Sequence, residues 1–164
     1  ELIDANINIK PRLRMTTLYY YAAYLSKKNK GVYIVPGTSN KCETYVGYFT
    51  KGGDNVCDIQ VLSDLTVDQV IKVGEVIKIP KNILYKAPDD GISGKTDEEK
   101  LGVKNKEIAD VIENEGKNVT KEVKEKIEKL HKNNMHKFNI PTYKQINHIL
   151  YLLQEIDLVM VKEK

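Results

Sequence analysis

An α/β fold is predicted by two features of the sequence. A β-branched run, Val32-Tyr33-Ile34-Val35, passes through Pro36-Gly37 into turn and cap residues and then into a helix-forming segment. A strand feeding a capped helix is the repeating unit of that class. Helix starts also recur: Thr66 with Gln69, Thr96 with Glu99 and Thr142 with Gln145 have the spacing of a capping box, which satisfies amides otherwise orphaned at a helix N-terminus. The 164 residues, 41% hydrophobic and 30% charged, suffice for one packed domain.

The elements follow in order. Residues 12–26 read as a helix, because Leu13, Thr17, Tyr20, Tyr21 and Tyr24 recur at three- and four-residue intervals and Ala22 and Ala23 favour helix. Its aromatic face suggests burial on more than one side, as at a subunit contact. Residues 32–35 read as a buried strand. Gly37-Thr38-Ser39-Asn40 supplies turn and cap chemistry before a short helix over residues 41–48. Residues 49–55 form a loop, since the Gly52-Gly53 pair with Asp54 and Asn55 favours turns.

After Thr66, the residues Val67, Val70, Ile71, Gly74 and Ile77 line one helix face up to Pro80. Residues 86–102 read as a long functional loop closing onto the helix start at Thr96. Residues 95–137 carry 11 basic and 10 acidic side chains, a mixture expected of solvated helix faces around an apolar seam of Val123, Ile127 and Leu130. A terminal helix follows Pro141, with Ile146, Ile149, Leu150 and Leu153 on one side.

Composition narrows the function classes. Lys and Arg total 26 against 23 acids, a formal charge of +3, which is no footprint for nucleic acid, and the basic stretch has no interleaved stacking aromatics for RNA. All but two of the basic residues are lysine; the arginines, Arg12 and Arg14, share one segment, so a planar bidentate fork is to be sought there. No apolar run approaches the ~18 residues of a membrane span. Cys42 and Cys57 have neither CxxC spacing nor a nearby histidine pair, which favours a reduced cytoplasmic protein over a disulfide or zinc scaffold. The start, Glu1-Leu2-Ile3-Asp4, lacks methionine and a leader-like pattern, so the chain is expected to be cut at its front.

Four segments are more specific: PRLRMTTLYYYA at 11–22, GTSNKCETYVGYFTKGGD at 37–54, KAPDDGISGKTDEEKLG at 86–102 and MHKFNIP at 135–141. In order and spacing they resemble the ammonia-dependent NAD synthetase family. The resemblance implies a Rossmann-like fold of the adenine-nucleotide-hydrolase type, incomplete here and helix-rich. It covers residues 1–141 as the C-terminal portion of such a domain, with 142–164 as a helical extension. It implies a ligase that adenylates nicotinic acid adenine dinucleotide with ATP, then lets ammonia displace AMP to give NAD, in a homodimer with the dinucleotide at the subunit interface. The family's SGG-x-DS phosphate loop does not occur in these residues. A fragment inactive alone is therefore expected, and a non-catalytic dinucleotide-binding or dimerisation module is the alternative.

Residue by residue, the resemblance implies dinucleotide contacts from Arg12, Lys51, Asp58, His136 and Lys137, ATP contacts from Thr38 and Asp89, and a magnesium ligand at Glu43. The chemistry agrees: guanidinium and ammonium groups suit phosphate, and a carboxylate suits a hard dication bridging phosphates. Without the resemblance, a solvated surface role would serve each of them. No nucleophilic triad is needed or found, and Arg14 carries no implied role. Three positions depart from the family pattern: Val67 replaces an ATP-contacting lysine, Asp89 a Ser or Thr, and Phe138 an arginine.

Overall fold

The structure, a computed structural model, describes residues 6–86 and 96–139. Asp89, the body of the 86–102 loop and the capping box at Thr142 with its helix lie outside the described residues. The elements are Ile9–Asn29 (α1), Pro36–Gly37 (β1), Lys41–Val46 (α2), Ile59–Gln60 (β2), Val67–Val76 (α3), Lys81–Leu84 (α4), Asp97–Leu101 (α5), Asn105–Asn114 (α6) and Lys121–Asn134 (α7), followed by a 3-10 turn at Met135–Lys137. β1 and β2 pair in parallel, with Pro36 opposite Ile59 and Gly37 opposite Gln60. Among the described residues no helix is long and apolar enough to cross a membrane.

The core lies where α2, α6 and α7 meet. Cys42, Val46, Val103, Ile108, Val111 and Ile127 are buried together, with Tyr45, Val123 and Leu130 packed around them. The charged stretch therefore folds as its pattern suggests: Ile127 is fully buried while Lys121–Glu125 and Lys124–Glu128 pair on the outer face of α7. Cap chemistry places the helix starts. Asn40 Oδ1 accepts the Glu43 N–H and Glu43 Oε2 accepts the Asn40 N–H, both at 3.0 Å. The Thr66 N–H donates to Gln69 Oε1 at 2.9 Å, and the Thr96 N–H to Glu99 Oε2 at 2.7 Å.

One expectation is corrected. The strand expected at residues 32–35 lies further on: the ladder is Pro36–Gly37, and of the four earlier residues only Val35 is buried, Val32 being 90% exposed. The cause is Asp58, which holds Val35 through both backbone groups, its carboxylate accepting the Val35 N–H at 2.7 Å and its own N–H donating to the Val35 carbonyl at 2.9 Å. Pairing then starts at Pro36, and Gly37 permits the close approach of Cys57, whose Sγ would lie 2.6 Å from any Cβ there. α1 spans the residues expected to be helical. Its half-buried stripe is Pro11, Met15, Tyr19 and Ala22, while Leu13, Thr17, Tyr20, Tyr21 and Tyr24 are exposed and no residue of the helix is buried in this chain.

The turn after α2 fixes where the loop begins. α2 stops at Val46 because Gly47 takes φ +67° and its N–H closes onto the Glu43 and Thr44 carbonyls. Asn134 of α7 lies directly against it, donating to the Val46 and Leu130 carbonyls at 2.9 and 3.0 Å. A Cβ on Gly47 would stand 2.3 Å from the Asn134 Cβ. Gly47→Ala is expected to lower stability by about 1–3 kcal/mol, combining left-handed strain with overpacking. Urea unfolding measures this, and an unchanged midpoint would show that α2 and α7 do not meet so closely.

Candidate functional site

The loop 47–55 joins the pieces of the site because several of its carbonyls lack a helix or ladder partner and are met by cationic side chains. Arg12, on the first turn of α1, donates from Nε to the Lys51 carbonyl at 3.2 Å. Lys51 reaches across to the C-terminal turn, its Nζ donating to the His136 carbonyl at 2.8 Å. Lys137 donates to the carbonyls of Gly47 and Phe49 at 2.7 and 3.0 Å, and its ammonium also lies 5.5 Å from the centre of the Phe49 ring. Partial burial holds the Lys137 ammonium below the usual lysine range, while the charge of Asp54 pulls the other way.

The loop approaches α1 at van der Waals distance. A Cβ on Gly53 would lie 3.0–3.2 Å from the Cβ and carbonyl carbon of Pro11 and the amide nitrogen of Arg12, so glycine is needed there for close approach rather than for a special φ. Within the loop, Asp54 accepts the Thr50 N–H and Asn55 accepts the Gly52 N–H at 2.9 Å. Phe49 packs edge-to-face on Phe138 at 5.0 Å. Where the family pattern has an arginine, this chain thus has an aromatic ring that closes the loop.

Beside the loop a cleft of about 610 Å³ opens between α1, the end of β1 and the start of α2. Thr38, just past β1, and Glu43, on the first turn of α2, both line it, as does Lys137. This is the carboxyl end of a parallel strand, where open α/β sheets take their ligands. Burial raises the Glu43 carboxyl above its ordinary value of 4.5, the Asn40 N–H opposes that, and the charges of Asp97 and Asp54 add to it. Among the described residues Glu43 has no ion-pair partner, so this carboxylate is one that a cation would stabilise.

The sequence-derived residues thus divide. Arg12 and Lys51 form a chain of contacts around the loop that ends at the His136 carbonyl, while the His136 imidazole bonds to the Asn133 carbonyl at 2.9 Å, and Thr38, Glu43 and Lys137 face the cleft. Asp58 stands under β1, taking the Val35 N–H and, at 3.3 Å, the Tyr19 hydroxyl. Val67 is half-buried against the core, a packing role that suits valine and not a triphosphate contact. Three cleft residues were given no site role by the sequence reading: Arg14, Asp54 and Asp97. Asp97, buried at the start of α5 and accepting the Tyr48 hydroxyl at 3.0 Å, looked from sequence like an ordinary first-turn acid.

Among the described residues no three His, Cys, Asp or Glu side chains stand close enough to form a metal cluster. Magnesium does not require one, since it keeps several waters and takes one or two carboxylates plus phosphates. Glu43 fits that demand.

The comparisons with known proteins agree with one another. The chain is 39% identical over 136 residues to the NH(3)-dependent NAD(+) synthetase of Carboxydothermus hydrogenoformans, covering 82% of this chain and 52% of that protein. It is 46% identical over 101 residues to the enzyme of that name from Methanocaldococcus jannaschii, covering 61% and 37%. The chain spans about half the length of the first of these relatives. Among solved structures, the NMN synthetase of Francisella tularensis superposes with a TM-score of 0.74 at 40% identity, over 85% of this chain and 56% of that one. The NH3-dependent NAD synthetase of Campylobacter jejuni, solved with nitrate, gives 0.61 at 23% identity over 82% and 53%, a likeness of fold. The helix-rich α/β nucleotide-binding fold expected from the sequence is therefore the fold of these neighbours. The NAD synthase family profile matches residues 3–141, and the chain belongs to the NAD synthase family.

Proposed function

We propose that the chain carries the dinucleotide-facing and metal-facing part of a ligase that makes NAD from nicotinic acid adenine dinucleotide, ATP and ammonia. The observation that carries this reading is that Arg12 and Lys51 tie α1, the 47–55 loop and the turn at the His136 carbonyl together beside a cleft lined by Thr38 and Glu43. In the reaction, a carboxylate oxygen of the substrate attacks the α-phosphorus of ATP and pyrophosphate departs. Ammonia then attacks the acyl carbon, the carbon–oxygen bond to AMP breaks, and the amide remains after loss of a proton.

The protein's part is positioning and charge neutralisation. Arg12 keeps its terminal guanidinium nitrogens for a phosphate or carboxylate while its Nε holds the loop. Lys137 satisfies loop carbonyls while Lys51 reaches from the loop to the His136 carbonyl, and both place positive charge beside the loop. Glu43 would hold magnesium, whose charge would neutralise the ATP phosphates. Asp58 fixes the height of β1 through Val35. The exposed stripe of Leu13, Thr17, Tyr20, Tyr21 and Tyr24 supports a homodimer through α1, and two free cysteines support a reducing compartment.

A phosphate cradle of backbone amides has no SGG-x-DS counterpart in these residues. Turnover is therefore expected only when a segment bearing that loop is joined to the chain or mixed with it. The likeness to an NMN synthetase at 40% identity favours a second reading, in which the mononucleotide is amidated instead. Val67, unable to contact ATP by charge, supports the further alternative of a module that binds dinucleotide without catalysis.

Measuring AMP and amide product for both substrates, with ammonia and a loop-bearing segment, separates these readings. Equal amounts of AMP and NAD from the dinucleotide are expected; amidation of the mononucleotide alone favours the second reading, and no AMP with either sinks both. In the active preparation, Arg12→Lys is expected to raise the KM for the dinucleotide about tenfold or more while sparing ATP, because lysine keeps the charge and loses the fork. Glu43→Gln is expected to lower kcat and weaken its magnesium dependence while sparing the dinucleotide KM. Both variants moving the same constant equally would overturn the two assignments.

A further inference from the structure

The two arginines lie two residues apart on α1, hence roughly 200° apart around the helix axis, and they serve different surfaces. Arg12 turns to the loop and donates to the Lys51 carbonyl. Arg14 lines the cleft, together with Thr38 and Glu43. We propose that Arg14 is a binding residue for a nucleotide phosphate in that cleft, a role that rests on the ligase reading above.

The charge balance of the cleft carries the inference. Three carboxylates line it, Glu43, Asp54 and Asp97, against two lining cations, Arg14 and Lys137; Asp97 is paired with Lys100 at 4.0 Å, which leaves Glu43 and Asp54 without an ion pair among the described residues. The Lys137 ammonium is already engaged by two carbonyls and lies against an aromatic ring. Arg14 makes no hydrogen bond and no ion pair among the described residues. An anion entering past Glu43 and Asp54 meets repulsion unless a cation receives it, and Arg14 is the cleft cation whose donors have no partner among the described residues. A guanidinium also offers the planar fork that matches two oxygens of one phosphate, in a protein that otherwise uses lysine for positive charge. Its side chain is exposed, so its replacement is expected to leave the packing of the chain unchanged.

Both ATP and the dinucleotide offer phosphates, and binding measurements tell the two sources apart. Calorimetric titration of the chain with magnesium ATP, and separately with nicotinic acid adenine dinucleotide, is carried out for the unaltered protein, Arg14→Gln and Arg14→Lys, with thermal unfolding of each. Arg14→Gln is expected to weaken one of the two ligands about tenfold or more, Arg14→Lys to recover only part of that loss, and all three proteins to unfold at the same temperature. Loss confined to ATP assigns the residue to the triphosphate, and loss confined to the dinucleotide assigns it to the pyrophosphate. Unchanged affinity for both ligands, or a loss that follows a lowered unfolding temperature, overturns the proposal. An unaltered chain that binds neither ligand, alone and with a loop-bearing segment joined to it or mixed with it, overturns this proposal and the ligase reading together.

Discussion

The rest of the site depends on how the carbonyls of one loop are satisfied. Residues 47–55 leave a helix through a left-handed glycine and carry carbonyls that no ladder completes. Lys137 meets those of Gly47 and Phe49, and Arg12 meets that of Lys51. A buried carbonyl left unpaired costs about 1–3 kcal/mol, a penalty that falls on the part-buried Phe49 carbonyl rather than on the exposed Lys51 carbonyl or on that of Gly47, which also accepts the Phe49 N–H. Satisfying them draws the start of α1, the end of α2 and the turn after α7 to one place, although these segments are far apart in sequence. Residues that the family resemblance implies for one ligand are thereby assembled by a requirement of the backbone.

The same arrangement gives several side chains two duties. Glu43 closes the capping box of α2 and lines the cleft, so the group that secures the helix start is the one left with a charge to neutralise. Lys51 steadies the turn after α7 while its carbonyl is held by Arg12. Asp58 sets where the parallel ladder begins and so where Thr38 emerges. A substitution at any of these positions acts on structure and ligand together, which is why tests that separate KM from kcat, or affinity from unfolding temperature, are the informative ones.

Much of this was legible in the sequence where local chemistry decides the outcome. The boxes at Thr66 and Thr96, the seam through Ile127 and the glycine-pair loop follow from rules that act within a few residues. The orientation of α1 was not legible, because apolar and aromatic residues occur on both of its stripes and periodicity alone does not say which one faces the chain. Pro11, Met15 and Tyr19 face inward since Gly53 gives α1 a close seat there. The start of β1 was misplaced because a distant carboxylate, Asp58, rather than β-branched propensity sets it. Arg14 and Asp97 were passed over for a related reason: their membership of the cleft depends on which way α1 and α5 are turned.

Amide hydrogen exchange in the loop tests most directly whether it is the organising element of a dinucleotide site. The amides of Gly52, Gly53 and Val56, bonded to Asn55, Thr50 and Gly53 respectively, report its opening without altering any side chain. Adding nicotinic acid adenine dinucleotide is expected to slow exchange at these three positions and to leave the outer face of α7, at residues 121–128, unchanged. Bound dinucleotide that slowed exchange elsewhere and left the loop amides as they were would contradict the assignment of the site to this loop.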